Sequence, residues 1–224
     1  MHVDVLTLFP EIVRPPLTMS ILGRALAAGH WSVGIHDIRE HGIGRHRVVD
    51  DSPYGGGSGM VMRVDVVDAA INAVRRPGSH VVILEASGAP FTQSVAARLA
   101  TLPHLVLVCG HYEGIDGRVR EHLCDEALSI GDFVLTGGEI AACAVVDAVV
   151  RLRPGVLGNE HSARDESFAS GQLEYPHYTR PREYRGWAVP EVLLGGDHGK
   201  VERWRREQAE ARTAAVRPDL ARRG

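Results

Sequence analysis

Hydrophobic residues recur along the first two thirds of the chain in two alternating patterns. Short apolar runs that predict strands occur at residues 3–9, 31–38, 80–86, 104–110 and 126–131, and several of them are nearly continuous, as is typical of strands covered on both faces. Between them, apolar residues return every three or four positions, which predicts amphipathic helices over residues 17–28, 64–76, 91–102, 115–123 and 138–152. This alternation predicts an α/β fold, a parallel sheet with helices on both faces.

Two long stretches that show neither pattern interrupt this order, at residues 39–60 and 153–187. Stretches of this length are uncommon in compact domains unless they are functional or disordered. A charged helical pattern follows the second stretch, at residues 196–215. We therefore interpret residues 1–155 as the core domain, residues 156–178 as a linker and residues 179–224 as a small helical domain.

Composition is that of a globular protein. Of the 224 residues, 44% are hydrophobic and 24% are charged, which is normal for a folded domain. The three cysteines form no C-x-x-C pair, which favours reduced thiols. The longest apolar stretch, IAACAVVDAVV, is too short to cross a bilayer and contains Asp147. We expect a cytoplasmic protein that has no membrane partner.

Charge is distributed unevenly along the chain. From Arg180 onward there are eleven Lys or Arg against seven Asp or Glu, whereas the whole chain has a net charge of −3. Almost all the basic residues are arginines, whose planar donor groups suit phosphates and base edges. The basic C-terminal part therefore indicates a nucleic-acid partner. A GC-rich genome would explain the arginine content equally well.

Three predicted strands end in glycine or other small residues, at 86–88, 109–110 and 129–131. Ligands of parallel sheets bind beyond the carboxyl ends of the strands, and glycine lets the backbone approach a ligand closely. Neither G-x-x-x-x-G-K-[ST] nor G-x-G-x-x-G is present, so the crevice suits a flat purine with a neutral or cationic tail better than a phosphate. Alternatively, the glycines are only turns and caps, and Thr136 and Glu139 fit a capping box.

Five motifs, in a fixed order, carry a resemblance to a known family. They are SPYGGGSGMVM (52–62), GHYEGIDGRV (110–119), SIGDFVLTGGE (129–139), RPGVLGNEHSARDESF (153–168) and PHYTRP (176–181). Together they resemble the bacterial tRNA (guanine-N1)-methyltransferases that act at position 37, next to the anticodon, which form the TrmD family of the SPOUT superfamily. The resemblance covers nearly the whole chain.

The resemblance has implications that no periodicity or composition provides. It implies a C-terminal trefoil-type knot in the α/β domain, although true knots are nearly absent from known folds. It also implies a homodimer with the active site at the subunit interface and tRNA as the partner. S-adenosylmethionine is the implied methyl donor, and Mg²⁺ is an implied cofactor.

Individual binding residues are also implied by the resemblance. Backbone groups from Ile130 to Leu135 are expected to hold the adenine and ribose of the donor, and Glu113 is a candidate partner for its positive charge. The residues implied for the donor are Ala86, Gly110, Glu113, Ile130, Gly131, Asp132, Phe133, Val134, Leu135, Gly137 and Gly138. Those implied for nucleic acid are Tyr54, Gly56, Gly59 and Arg180.

Methylation of guanine N1 requires loss of its proton, which a carboxylate within hydrogen-bond reach can accept. The aspartate base of the family stands immediately before Ser-Phe, where this chain has Glu166, preceded by Asp165. Either the loop uses Glu166, or a shift by one residue presents Asp165. The helper arginine of the family falls on Arg151, and the base is expected from the opposite subunit. A further departure is His111, which replaces the usual arginine.

Two other functions remain open at this point. One is a knotted methyltransferase that acts on ribose 2′-hydroxyls, and the other is a non-catalytic tRNA-binding protein of the same fold. The acid-bearing linker favours N1 chemistry over the first. We identify no metal-binding motif and predict no metal ligands.

Overall fold

The structure, a computed structural model, describes residues 1–158, 166–169 and 171–221. The chain divides into two compact units, Met1–Gly158 and Asn159–Gly224. The finer division into a core domain, a linker and a small helical domain remains a prediction. In the described part of the chain, no helix is long and apolar enough to cross a membrane.

The first unit is built on a parallel sheet. The described strands are, in chain order, β1 (His2–Thr7), β2 (Ser32–Asp37), β3 (Asp50–Asp51), β4 (Val61–Met62), β5 (Ser79–Pro90), β6 (His104–Cys109), β7 (Glu126–Ser129), β8 (Glu183–Tyr184) and β9 (Trp187–Ala188). Five of them form one sheet in the order β2-β1-β6-β5-β7, and every pairing in it is parallel. The predicted α/β fold and its parallel sheet are therefore confirmed.

Helices connect these strands. The described α-helices are α1 (Pro10–Thr18), α2 (Ser20–Ala27), α3 (Val64–Val74), α4 (Gln93–Ala100), α5 (Gly117–His122), α6 (Glu139–Val150), α7 (His198–Val216) and α8 (Pro218–Ala221), and short 3₁₀ helices lie at Ile38–His41 and Glu191–Leu193. The predicted helix 17–28 is wrong at its start. Residues 17 and 18 end α1, and the extended backbone of Met19 separates α1 from α2. Pro15 and Pro16 lie inside α1 and hide its helical pattern.

Apolar side chains cover both faces of the sheet. Val3, Val5 and Leu107 point to one face and pack in a cluster that includes the fully buried Val145 and Val146 of α6. Leu6 belongs to the cluster on the other face, together with residues of α3. Because neighbouring positions of β1 face opposite clusters, the sheet is buried on both sides, which explains its continuous apolar runs.

The two irregular stretches contain more regular structure than predicted. β3 and β4 pair antiparallel around residues 52–60, and β8 and β9 form a second antiparallel pair. These strands have two residues each, too few to show a period of two in the sequence. The three cysteines are free thiols, and burial raises the pKa of the Cys109 thiol well above its usual value. This thiol therefore remains protonated.

Candidate functional site

A bulge within β5 and the turns after β6 and β7 enclose a cavity of about 350 Å³ at the carboxyl edge of the sheet. The three segments that contain the predicted glycine turns are therefore neighbours, but the predicted strand end at 86–88 is wrong, because β5 continues to Pro90. Ten of the residues expected to bind the donor line the cavity, namely Ala86, Gly110, Glu113, Ile130, Gly131, Phe133, Val134, Leu135, Gly137 and Gly138. Asp132, which was also expected there, is not among the lining residues.

One wall of the cavity comes from an irregularity in β5. The ladder between β5 and β7 runs to Leu84, which pairs with Leu128, and resumes at Ala89, which pairs with the same residue. The intervening residues leave the ladder, and Glu85, Ala86 and Ser87 line the cavity. This bulge converts the end of a regular strand into a curved wall.

The second wall is the turn that follows β6. Gly138 donates its N–H to the carbonyl oxygen of Gly110 at 2.8 Å, which joins this turn to the start of α6. A Cβ on Gly138 would lie 2.7 Å from Cα of Cys109. Because both groups belong to the backbone, no side chain larger than hydrogen fits at this position. The glycine is required here by a close approach of two main-chain segments.

The third wall is the turn at residues 129–138. The Ser129 hydroxyl lies 3.0 Å from the carbonyl oxygen of Gly131 and 3.3 Å from its nitrogen, which fixes the start of the turn. Phe133, Val134 and Leu135 follow, with exposed fractions of 53%, 86% and 39%. Three successive exposed apolar residues that line a cavity are suited to contact a flat apolar ligand.

The predicted capping box of α6 is wrong. The N-cap of α6 is Gly138, which has no side-chain capping bond. The Glu139 carboxylate is instead buried and accepts a hydrogen bond from the Thr7 hydroxyl of β1 at 2.8 Å. His111 faces the same carboxylate, with Nδ1 3.8 Å from Oε2. In the described part of the chain, this buried Nδ1 has no hydrogen-bond partner.

The charged side chains at the cavity are acidic. Glu85 and Glu113 line it, whereas none of the described lysine or arginine residues does so. Glu85 forms an ion pair with Arg120 of α5, which leaves Glu113 as the better candidate partner for a bound cation. A cavity with carboxylates, glycine backbone and apolar side chains suits a cationic nucleoside and disfavours a polyphosphate.

The glycine-rich loop at residues 54–59 reaches this cavity at one point. Gly59 has a φ of +84°, and a Cβ there would lie 2.5 Å from Oε1 of Glu113. The Glu113 N–H donates to the Met60 carbonyl at 3.0 Å, and Met62 and Ile115 form a parallel bridge. Tyr54 is fully exposed, and there is open space around Gly56. The loop expected to bind nucleic acid therefore borders the expected donor site.

Of the candidates for catalysis, Arg151 is in the same unit as the cavity but is not among its lining residues. Arg151 is the half-buried C-cap of α6, and its N–H donates to the carbonyl oxygen of Asp147 at 3.1 Å. Glu166 is half-buried, and its carbonyl oxygen accepts from the Ala169 N–H at 3.2 Å. Asp165 falls outside the described residues. Arg180 is exposed and precedes a cis proline.

The residues expected to bind the donor did not include several that line the cavity, among them Glu85, Ser87, Tyr112, Ser129 and Thr136. Ser87 and Ser129 flank the glycines that drew attention to the turns, so proximity in sequence could have identified them. Tyr112 has a φ of +61°, a backbone conformation that is uncommon for a tyrosine and is not visible in the sequence. Its position depends on the turn that surrounds it.

A parallel α/β sheet with a glycine-lined cavity at its carboxyl edge defines a ligand-binding α/β protein. The chain matches the family described as tRNA (Guanine-1)-methyltransferase TrmD over residues 1–223. A tRNA (guanine-N(1)-)-methyltransferase of Chloroflexus aggregans is 57% identical over 223 residues, which are 98% of this chain and 87% of the relative. One of Thermus thermophilus is 55% identical over 220 residues, 98% of this chain and 91% of the relative. The chain belongs to the tRNA (guanine-1)-methyltransferase TrmD family, which confirms the resemblance.

Proposed function

We propose that this protein transfers a methyl group from S-adenosylmethionine to N1 of guanosine at position 37 of tRNA. Membership of the family makes the chain a tRNA (guanine-N1)-methyltransferase. The single observation that carries the donor assignment is the cavity at the carboxyl edge of the sheet, because its walls match the ligand chemistry. A tRNA substrate also agrees with the cytoplasmic location expected from the sequence.

The residues of the cavity fit S-adenosylmethionine. Backbone groups of the 129–138 turn provide hydrogen-bond donors and acceptors for adenine and ribose, and Phe133 and Leu135 provide apolar contact for the ring. Glu113 balances the positive charge of the ligand. When bound, the donor supplies an electrophilic methyl group on a sulfonium. The contribution of the protein is to hold that methyl group in line with the guanine nitrogen, and alignment of this kind can supply roughly 7–11 kcal/mol.

Removal of the proton from guanine N1 is assigned to a carboxylate of the linker. Glu166 is the first choice because it occupies the position directly before Ser167-Phe168, and Asp165 is the alternative. Either carboxylate can accept the N1 proton as a general base, an effect worth roughly 10²–10⁴ in rate. Arg151 is assigned the stabilisation of the negative charge that develops on the deprotonated guanine.

The larger architecture that the family implies belongs to the same proposal. The 129–138 turn and the 110–115 turn are proposed to form part of a trefoil knot, and two chains are proposed to form a homodimer in which one subunit supplies the base for the other. Residues 179–224 are proposed as the small tRNA-binding domain after the linker 156–178. The loop at 54–59 and Arg180 are proposed to contact the tRNA.

Magnesium does not fit an assignable site. Mg²⁺ prefers an octahedron of oxygen ligands. Within the described residues, the only group of three ligand side chains close enough to hold a metal ion is His2, Asp4 and His104. That group contains two imidazoles, and it begins strands β1 and β6, at the edge of the sheet opposite to the cavity.

Methyl transfer from labelled S-adenosylmethionine to tRNA transcripts tests the proposal. A transcript with guanosine at position 37, preceded by guanosine, is expected to accept the label, and one with adenosine at 37 is not. Under single-turnover conditions, Glu166→Gln is expected to lower the rate by roughly 10²–10⁴. Asp165→Asn is the matched control and is expected to have a much smaller effect.

Three other results of this assay would contradict a part of the proposal. Label on the adenosine-37 transcript would contradict the assignment of the target base. A larger loss in Asp165→Asn than in Glu166→Gln would transfer the role of general base to Asp165. Tight tRNA binding with no label on any transcript would contradict the proposed activity and support a binding protein without turnover.

A further inference from the structure

A cluster of histidines surrounds one buried carboxylate at the amino edge of the sheet. Asp4 of β1 is 2% exposed. His2 is two residues earlier on the same strand, and it pairs in register with Ser32 of β2 and with His104 of β6. The strand register therefore brings side chains from distant parts of the sequence to one face of the sheet.

Three imidazole nitrogens converge on the Asp4 carboxylate. Nε2 of His2 is 3.0 Å and Nε2 of His36 is 2.7 Å from Oδ1, and Nε2 of His104 is 2.8 Å from Oδ2. One ligand atom each of His2, Asp4 and His104 lies within 4.8 Å of the other two. Imidazole nitrogen and carboxylate oxygen form the ligand set of many zinc sites.

The backbone provides room for this cluster. Gly34 of β2 lies opposite Asp4 in the ladder. A Cβ at this position would overlap Oδ1 of Asp4 and would lie 2.5 Å from Nε2 of His36. Any other residue at position 34 would therefore displace the carboxylate or the imidazole, so the cluster depends on a cavity that the strand leaves for it.

Two serine hydroxyls orient the rings of His2 and His104 through the nitrogen that faces away from Asp4. Nδ1 of His2 is 2.7 Å from the Ser32 hydroxyl, and Nδ1 of His104 is 2.7 Å from the Ser79 hydroxyl. A hydroxyl can donate to or accept from either nitrogen. Each neutral ring can therefore carry its single proton on Nδ1, donate it to serine and leave the Nε2 lone pair free for a metal ion. Such partners behind metal-bound histidines orient the ring.

We propose that His2, Asp4 and His104 form a structural site for a zinc-like divalent ion. The three ligands come from β1 and β6, and His36 of β2 or a water molecule would complete a tetrahedron. The imidazoles favour zinc over magnesium or calcium, which prefer oxygen ligands. Because the site is at the opposite edge of the sheet from the cavity, the ion would join β1 and β6, and also β2 if His36 is the fourth ligand, without taking part in methyl transfer.

Arg76 is a competitor for the same carboxylate. Its Nη2 lies 3.4 Å from Oδ2 of Asp4, and its side chain is 52% exposed, against 3% for that of Asp4. An exposed guanidinium can turn out to solvent when a divalent cation arrives, but its charge opposes binding. Removal of this charge should therefore strengthen metal binding, which is the opposite effect to removal of a ligand.

Titration calorimetry of the full-length chain with ZnCl₂, after treatment with EDTA, tests the proposal. We expect one zinc ion per chain in the wild type, and little heat from MgCl₂ or CaCl₂. His104→Gln should abolish this binding, although Gln still donates to Asp4. Ser79→Ala should weaken it by roughly 10–100-fold, and Arg76→Gln should strengthen it. His122→Gln removes an exposed histidine of α5 and should leave binding unchanged.

Zinc uptake that is equal in the wild type and in His104→Gln would overturn the proposal, as would the absence of uptake by the wild type. Nitrogen chemical shifts of the imidazoles provide a test that needs no variant. In the wild type, zinc should move the Nε2 signals of His2 and His104 and place their protons on Nδ1. Unchanged signals for these two rings at saturating zinc would contradict the site even if other histidines respond.

Discussion

The two edges of the central sheet are formed by opposite ends of the same five strands but are built in different ways. At the carboxyl edge, glycines remove side chains, and main-chain segments approach so closely that a Cβ on Gly138 would lie 2.7 Å from Cα of Cys109. At the amino edge, polar side chains converge on the buried Asp4 carboxylate. One edge is shaped mainly by its backbone, and the other is held together by side-chain chemistry.

This difference has a physical consequence for substitutions. A backbone wall cannot relax when an atom is added, whereas a cluster of side chains can rearrange, at the cost of its hydrogen bonds. β6 spans the two edges in six residues, which is about 16 Å at the usual rise per residue. Sites so far apart without shared partners usually act independently. Substitutions at the amino edge should therefore leave ligand affinity at the carboxyl edge unchanged, and substitutions at the carboxyl edge should leave the hydrogen bonds around Asp4 unchanged.

The largest effect is expected for Gly138→Ala at the carboxyl edge. The added methyl group meets backbone atoms of Cys109 and Gly110, so one of the two turns must move. Overpacking of this kind costs about 3 kcal/mol at the upper end, which corresponds to roughly 100-fold in affinity if the strain falls on the ligand-binding conformation. Calorimetry with S-adenosylmethionine measures the change.

Gly117→Ala is the matched control for this substitution. Gly117 is the first residue of α5, and a Cβ there meets nothing within 4 Å. The control should bind S-adenosylmethionine like the wild type. If Gly138→Ala also retained the affinity of the wild type, the backbone contact at the cavity would not be required for donor binding.

A smaller effect is expected for Gly34→Ala at the amino edge. Its methyl group meets Oδ1 of Asp4 and Nε2 of His36, which are side-chain atoms and can give way in part. We expect a loss of about 1–2 kcal/mol in the free energy of unfolding, measured by urea denaturation without added metal. The affinity for S-adenosylmethionine should remain within about twofold.

The double variant Gly34→Ala/Gly138→Ala sharpens the comparison between the edges. Its free energy of unfolding should equal the sum of the two single changes within about 0.5 kcal/mol. A larger deviation, or weaker donor binding in Gly34→Ala alone, would show that the edges are coupled through the sheet. That result would contradict their independence.

The sequence predicts the central sheet well because inner strands such as β6 are buried on both faces and are therefore nearly continuous apolar runs. Prediction from the sequence fails where tertiary contacts override the local preference of the residues. Pro15 and Pro16 conceal α1, although Pro10 at its start is well suited to a first helical turn. The strands of the β3–β4 pair have two residues each, and their position is set by contacts such as the bridge between Met62 and Ile115, which no local pattern encodes.

The same distinction applies to the candidate sites. The glycine turns are predictable because each follows an apolar run, and parallel strands must end at a common edge. The role of Glu139 is not predictable, since its partner Thr7 is 132 residues away. The cluster around Asp4 is also invisible in the sequence, because His104 joins it only through the register of β1 and β6. Local spacing identifies motifs, but strand register assembles this cluster.

The smallest predicted effect concerns charge at the amino edge. Glu126, the first residue of β7, accepts from Arg98 Nη2 at 2.7 Å and faces His80 Nε2 at 2.7 Å. Burial acts to raise the pKa of Glu126, but the hydrogen bonds from Arg98 and His80 outweigh it and hold the pKa below its usual value. A carboxylate of this kind stabilises the fold above its unfolded pKa, and the contribution is lost as the pH falls through the folded pKa.

Glu126→Gln should therefore lower the free energy of unfolding at pH 7 by about 1 kcal/mol or less, because the Arg98 side chain is 49% exposed and the pair is screened by solvent. The difference from the wild type should shrink as the pH is lowered through about 4, where a free glutamate becomes protonated. Glu121→Gln, at an exposed carboxylate of α5, should show a smaller difference at pH 7. If the difference in free energy of unfolding between Glu126→Gln and the wild type stayed constant from pH 7 to acidic pH, packing and not charge would be the contribution of Glu126 to stability.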